Sequence, residues 1–329
     1  MCLFLGLSAK SLFKSQNEES QALFAQYLNF IVACAGNTDN DQQAVTEQAN
    51  ESLLEILSAK PSVYRIAPYV PDILRQMTTY IPTTLSVTFF EVMHSILKIY
   101  SPTIIKNEGL ILEVLEPLVN RAKAEFENVK REKGLPKLIL TKIWNTIQTI
   151  GEQEEYILQY QDQIERVLIP LFQYVEDDTD DGPFDQDILN YVAATVKLTK
   201  RVSPITWDLF KVFPQIFDRF QGLITPLFTA LSNIIVFGRQ DIENNPENIV
   251  TLVQLGIKAL NTVHPDAAKA GPAMAALFFQ VLIQYVGIPD EWWEKMLVAC
   301  LAKFVDDNKG FLRVRYFQTY YLRKLTSIF

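Results

Sequence analysis

The chain has 329 residues, 49% of them hydrophobic and 21% charged, a balance suited to a folded protein with a sizeable core. Its net charge of −8 argues against nucleic acid as a direct partner, because phosphate recognition needs a basic surface. Only 12 glycines are present, too few for a turn-rich β protein or a nucleotide enzyme with several glycine loops.

The opening Met1-Cys2-Leu3-Phe4-Leu5-Gly6-Leu7 lacks the basic residues that precede the apolar core of a signal peptide. It reads as a helix with packing partners upstream. From Glu18 to Ala35 a broad apolar face recurs at helical spacing, and Gly36-Asn37-Thr38-Asp39 ends it. Gln42 to Ser58 restarts the period, and Lys60-Pro61 stops it, since proline lacks the donor and clashes with the preceding turn. Helices follow near Ile66–Thr79 and Pro82–Tyr100. A long one is expected near Ile104–Lys133, apolar through Val119 and heavily charged from Arg121. That gradient predicts that its C-terminal turns project into water.

Gly134-Leu135-Pro136 closes the long helix. Helices near Lys137–Ile150, Glu154–Val175 and Phe184–Lys200 continue the series. Val202-Ser203-Pro204 is a helix start with Ser203 as N-cap and Pro204 at the first helical position, and Pro214 is expected to bend that helix. Leu223–Phe237, Pro246–Val263, Asp266–Val286, Pro289–Val305 and Phe311–Leu325 complete the chain. About fifteen amphipathic helices with no alternating strand give an all-α fold of antiparallel helix pairs. No flexible linker divides it, so a single continuous α-solenoid over residues 1–329 is expected. Both ends are apolar where solenoids carry polar caps, which suggests a segment of a longer protein.

The densest charge lies between two of these helices. Glu176, Asp177, Asp178, Asp180, Asp181, Asp185 and Asp187 read as an acidic inserted loop that attracts Lys/Arg-rich protein, beside the plainer reading of a solvated connection. Registered as a calcium loop on Gly182, the same stretch offers Asp177, Thr179 and Asp181 but places Ile188 where a bidentate glutamate is required. The basic stretch Arg121 to Lys142 is interleaved with Glu125, Glu127 and Glu132, as a solvated helix face would be. Trp292 and Trp293 open a helix and read as core packing, with an exposed anchor as the other possibility.

Catalytic residues are scarce. Ser203 is better explained as a cap than as a nucleophile, and His94 as a satisfied core or groove histidine. His264 precedes a proline at a turn. Two histidines without i,i+4 spacing make a metal site hard to assemble, and no phosphate-binding glycine loop is present. Cys2, Cys34 and Cys300 are too few and too scattered for a disulfide framework, and suit reduced thiols in a cytosolic or nuclear protein. No uncharged apolar run is long enough to span a bilayer. The reading is therefore a binding protein, not an enzyme, with no cofactor and no metal.

The repeats vary too much for tetratricopeptide or ankyrin arrays, which carry signatures at a fixed period. Pro68 and Pro71, Pro170 and Pro214 stand where HEAT-type repeats bend the first helix of a pair. Met93-His94-Ser95-Ile96-Leu97-Lys98-Ile99-Tyr100, Ile139 to Ile147 and Val202-Ser203-Pro204-Ile205-Thr206-Trp207 carry a closer likeness. The block from Ser86 to Phe220 resembles the C-terminal half of importin-β-type nuclear transport receptors (karyopherins), especially the importin seven and eight subgroup.

That resemblance implies a HEAT-repeat superhelix that carries basic cargo, such as ribosomal proteins or histones, through nuclear pores. Release would follow binding of the GTPase Ran to repeats without an identified counterpart here. Grooves between outer helices would accept the phenylalanine-glycine repeats of nucleoporins, and the protein would shuttle between cytoplasm and nucleus. The acidic stretch 176–187 fits a cargo-contacting loop of such a receptor. An export-type karyopherin, or a HEAT scaffold subunit of a multiprotein complex, is the alternative.

Overall fold

In a computed structural model of the chain, the described residues are 18–36, 42–58, 66–132, 138–176, 184–262 and 271–306. They form sixteen α-helices and two short 3-10 turns with no strand, as the periodicity predicts. By internal contacts the chain divides into two compact units, residues 1–173 and 174–329.

The first unit contains α1 (Glu18–Ala35), α2 (Gln43–Ser58), α3 (Val70–Tyr80), α4 (Val87–Ile99), α5 (Ser101–Ile104), α6 (Leu110–Glu132), α7 (Leu138–Glu152) and most of α8 (Glu154–Glu176). Its helices follow two rows. In one, α1 packs on α3 and α3 on α6; in the other, α2 packs on α4 and α4 on α7. Cross-contacts α1·α2, α3·α4 and α6·α7 tie the rows into pairs. Each helix buries one stripe at i, i+3, i+4 spacing, as Phe89, Phe90, Met93, Ile96 and Leu97 do in α4.

Polar groups fix how these helices meet. Ser86 caps α4 by accepting from the Phe89 backbone N–H at 3.1 Å. The buried Asn50 amide donates to the Ala35 and Thr46 carbonyls and to the Ser86 hydroxyl, joining α1, α2 and the cap of α4. Thr146 of α7 donates to the Phe90 carbonyl at 3.2 Å, and Thr149 bonds His94 at 2.7 Å. Because both residue numbers rise together along these contacts, α4 and α7 run parallel.

Four expectations change here. The short α5 ends at Ile104, and the long helix expected from Ile104 starts instead at Leu110, just after Gly109, whose φ of +79 suits glycine. Its C-terminal half does not project into water: Ala122, Phe126 and Val129 stay buried, because the apolar stripe continues beneath the charges. Arg121, expected on a solvated face, pairs with Glu125 at 2.7 Å with both side chains only 10% exposed. Its guanidinium also donates to the Pro82 and Thr84 carbonyls, so the pair closes the turn before α4. In α8, Pro170 lies within the helix while the non-helical residue is Tyr160 (φ −127, ψ 16), ten positions earlier.

The second unit contains the last turn of α8, then α9 (Asp185–Thr199), α10 (Pro204–Phe210), α11 (Phe213–Arg219), α12 (Ile224–Phe237), α13 (Arg239–Glu243), α14 (Pro246–Leu260), α15 (Gly271–Tyr285) and α16 (Asp290–Asp306). Here α9 packs on α12 and α12 on α15, while α11 packs on α14 and α14 on α16. Ser203 caps α10 by accepting from Thr206 N–H at 3.0 Å, with Pro204 next in line. Pro214 separates α10 from α11 outright instead of bending one helix, and it occupies the first turn of α11.

The second unit's core is aromatic. Phe228 meets Phe278 edge-to-face at 4.7 Å and Phe217 at 6.4 Å, and Phe278 continues to Phe279. Gly256 of α14 admits that chain of rings, since a Cβ there would lie 2.4 Å from the Phe279 ring. The expected opening helix, the 311–325 helix and His264 all lie outside the described residues.

Candidate functional site

Seven carboxylates make up the sequence-derived site. Asp177, Asp178, Asp180 and Asp181 lie outside the described residues, and Glu176 is described only as the last residue of α8. What the structure defines is how the stretch enters and leaves the helices. On the entering side, Tyr174 belongs to the final turn of α8 and is buried. On the leaving side, Phe184 is buried just before α9, and the two rings meet with centroids 6.0 Å apart.

Asp185 departs from the expectation of an exposed cargo contact. It opens α9 with 1% of its surface exposed, and its Oδ2 lies 3.4 Å from Nη2 of Arg219, at the end of α11. Its Oδ1 is buried without a hydrogen-bond partner. Burial pushes the Asp185 carboxyl up to about 6, against the opposing pull of the Arg219 charge and hydrogen bond. The physical reason for the correction is position: Asp185 occupies the first turn of a helix whose apolar face begins at Ile188 and Leu189. Asp187 is half-buried in the same turn, where a carboxylate is favoured by the helix dipole.

Periodicity did not find Arg219, Tyr174 or Phe184 as parts of this site. The Asp185–Arg219 contact spans 34 positions, and no local signal links them. Ile188, at the twelfth position of the calcium-loop register, is fully buried core. Among the described residues, no group of three or more His, Cys, Asp or Glu side chains is placed to hold a metal ion.

His94 is half-buried, and its Nδ1 is bonded to the Thr149 hydroxyl at 2.7 Å. Ser203 is buried as a cap. Trp292 and Trp293 are both half-buried, and the Lys295 ammonium lies 3.9 Å from the Trp292 ring centroid. Cys34 and Cys300 are free thiols, and burial pushes the Cys300 thiol up to about 12, which removes it as a nucleophile near neutral pH. No described helix is long and apolar enough to cross a membrane. Compared with known proteins, the chain matches no family model and no curated sequence.

Proposed function

We propose that this chain is a stretch of an importin-β-type nuclear import receptor, a HEAT-repeat solenoid that binds basic protein cargo without catalysing a reaction. The two units are read as consecutive stretches of one solenoid over residues 1–329. The observation that supports this reading most is the two-row stacking of helices within each unit, which is how a solenoid grows by neighbour contacts alone. The net charge of −8 favours Lys/Arg-rich partners such as ribosomal proteins or histones. Glu176, Asp177, Asp178, Asp180 and Asp181 are the contacts assigned to that cargo, with Asp187 at their edge. In the full receptor, Ran-GTP releases the cargo, nucleoporin phenylalanine-glycine repeats dock between outer helices, and the protein shuttles between cytoplasm and nucleus. No cofactor takes part.

The test is binding of a Lys/Arg-rich ribosomal protein to the chain across a salt series. A variant with Asp177, Asp178, Asp180 and Asp181 all changed to Asn runs beside it. Salt-sensitive binding that weakens at least about tenfold in the variant supports the reading, because clustered charges act together on a basic partner. Equal affinity for both proteins removes the acidic stretch as the contact. A stable partner insensitive to Ran-GTP in the full receptor replaces transport with a scaffold role.

A further inference from the structure

Two helices of the second unit end side by side. The Asn233 amide of α12 donates to the Ala193 carbonyl of α9, and further along Gly238, just beyond α12, lies against Val202. Both residue numbers rise along these contacts, so α9 and α12 run parallel and finish at the same end. Gly238 permits the close approach: a Cβ there would lie 2.7 Å from the Trp207 ring and 2.9 Å from a Val202 methyl. Trp207 meets Phe210 edge-to-face at 5.5 Å and stays half-exposed.

This junction gathers cations on a chain whose net charge is −8. Lys197 lies in the last turn of α9, Lys200 caps it, Arg201 follows, and Arg239 stands next to Gly238 at the start of α13. All four side chains are exposed. The carboxylates of α10 and α13 do not cancel them, since Asp208 pairs with Lys211 at 2.7 Å and Glu243 with Arg239 at 2.8 Å, which leaves Asp241 as their third acid.

A helix C-terminus favours cations, and that accounts for Lys197. It does not account for Lys200. With φ 53 and ψ 32, Lys200 holds the left-handed conformation in which glycine is the favoured residue. A lysine there costs backbone energy, and its exposed ammonium makes no ion pair or hydrogen bond among the described residues. Strain retained for an exposed charge points to a use for that charge outside the fold.

We propose that this end of the second unit is a docking surface for an acidic peptide segment carrying an apolar anchor. Lys197, Lys200, Arg201 and Arg239 attract its carboxylates, and the half-exposed Trp207 ring receives the apolar side chain. Nucleic acid suits the surface less well. Its charges recur at about 3.4 Å along each strand, so an extended strand would run off these few cations onto an acidic protein. The surface is separate from the acidic stretch and stands whether or not that stretch binds cargo.

The probe is a synthetic peptide of Asp and Glu with one Phe, titrated against the 329-residue chain by fluorescence anisotropy across a salt series. Lys200→Gly is the decisive variant. It is expected to raise the urea midpoint, because glycine relieves the backbone, and yet to weaken peptide binding about threefold. A residue that merely ends a helix gives the first effect without the second. Adding Lys197→Gln is expected to bring the loss to about tenfold and to flatten the dependence on salt. The peptide with Gly in place of Phe is expected to bind the wild type about fivefold more weakly.

Wild-type affinity in the Lys197→Gln/Lys200→Gly protein overturns the proposal, and so does the absence of measurable peptide binding by the wild type. A single-stranded oligonucleotide of equal charge that binds as tightly as the peptide also overturns it, since the surface then attracts any polyanion. If Lys200→Gly lowers the urea midpoint, Lys200→Asn takes its place, because asparagine tolerates the same backbone. Wild-type affinity there, with Lys197→Gln, is equally decisive against the proposal.

Discussion

The two units solve the same packing problem with different chemistry. In residues 18–173, helices are joined by side chains that bond a neighbour's backbone: Asn50 to Ala35, Thr146 to Phe90, Arg121 to Pro82 and Thr84, and Tyr156 to the Leu97 carbonyl at 2.8 Å. Burial holds the Tyr156 hydroxyl well above its ordinary range, so it remains a donor at any physiological pH. In residues 174–306, rings join the helices: Phe210 of α10 meets Phe213 of α11, Phe217 of α11 meets Phe228 of α12, and Phe228 meets Phe278 of α15. Asn233 to the Ala193 carbonyl at 2.8 Å is a polar joint of the first kind. A directional bond sets register at small cost in volume. A ring fills volume and tolerates sliding. The first unit is therefore more sensitive to loss of a hydrogen bond, and the second to loss of bulk.

The largest expected effect tests the aromatic half of that contrast. Phe228→Ala removes a fully buried ring between Phe217 and Phe278 and is expected to cost about 3–5 kcal/mol. Urea unfolding followed by intrinsic fluorescence measures it, and a cost near 1 kcal/mol would mean that the ring stack is loosely packed.

Next comes a buried ion pair of the second unit. Burial raises the folded Asp185 carboxyl to about 6 from its ordinary value of 3.8, so folding raises its proton affinity. Between those pH values the folded state holds the proton and the unfolded state does not. The group's contribution is thus full below pH 3.8, falls as pH rises through 6 and is flat above, a loss of about 3 kcal/mol. Subtracting the pH profile of Asp185→Asn from that of the wild type isolates this slope. A difference that rises with pH would mean that the Arg219 charge outweighs burial.

The smallest effect belongs to the first unit. Asn50→Ala deletes three hydrogen bonds at the junction of α1, α2 and α4 and is expected to cost about 2 kcal/mol. The contrast between the units fails if Asn233→Ala, which deletes the corresponding bond in the second unit, costs as much as Asn50→Ala under the same denaturant.

Much of the helix inventory was legible from period and punctuation. Ser86 and Ser203 stand before their helices as caps, and the expected ends near Thr79, Ile150 and Phe237 fall within a few residues of Tyr80, Glu152 and Phe237. Two kinds of feature were not legible. The long helix begins at Leu110 and not near Ile104, following Gly109, whose positive φ is not helical. Arg121 and Glu125 announce an i,i+4 pair, but nothing local says that it is buried.

The acidic site divides in the same way. Its charge was written in consecutive residues from Glu176 to Asp187, but the fate of each carboxylate was not. Asp185 looks no different from Asp187 in sequence, yet one is sealed against an arginine 34 positions away and the other is half-open. By itself the sequence determined the all-helical fold, the helix starts and the place of the densest charge, because capping, periodicity and solvation act over a few neighbouring residues. Tertiary structure alone decided the two-row stacking, the aromatic joints and which carboxylate is withdrawn from water. Those depend on residues far apart in the chain, brought together only when the helices bury their apolar stripes.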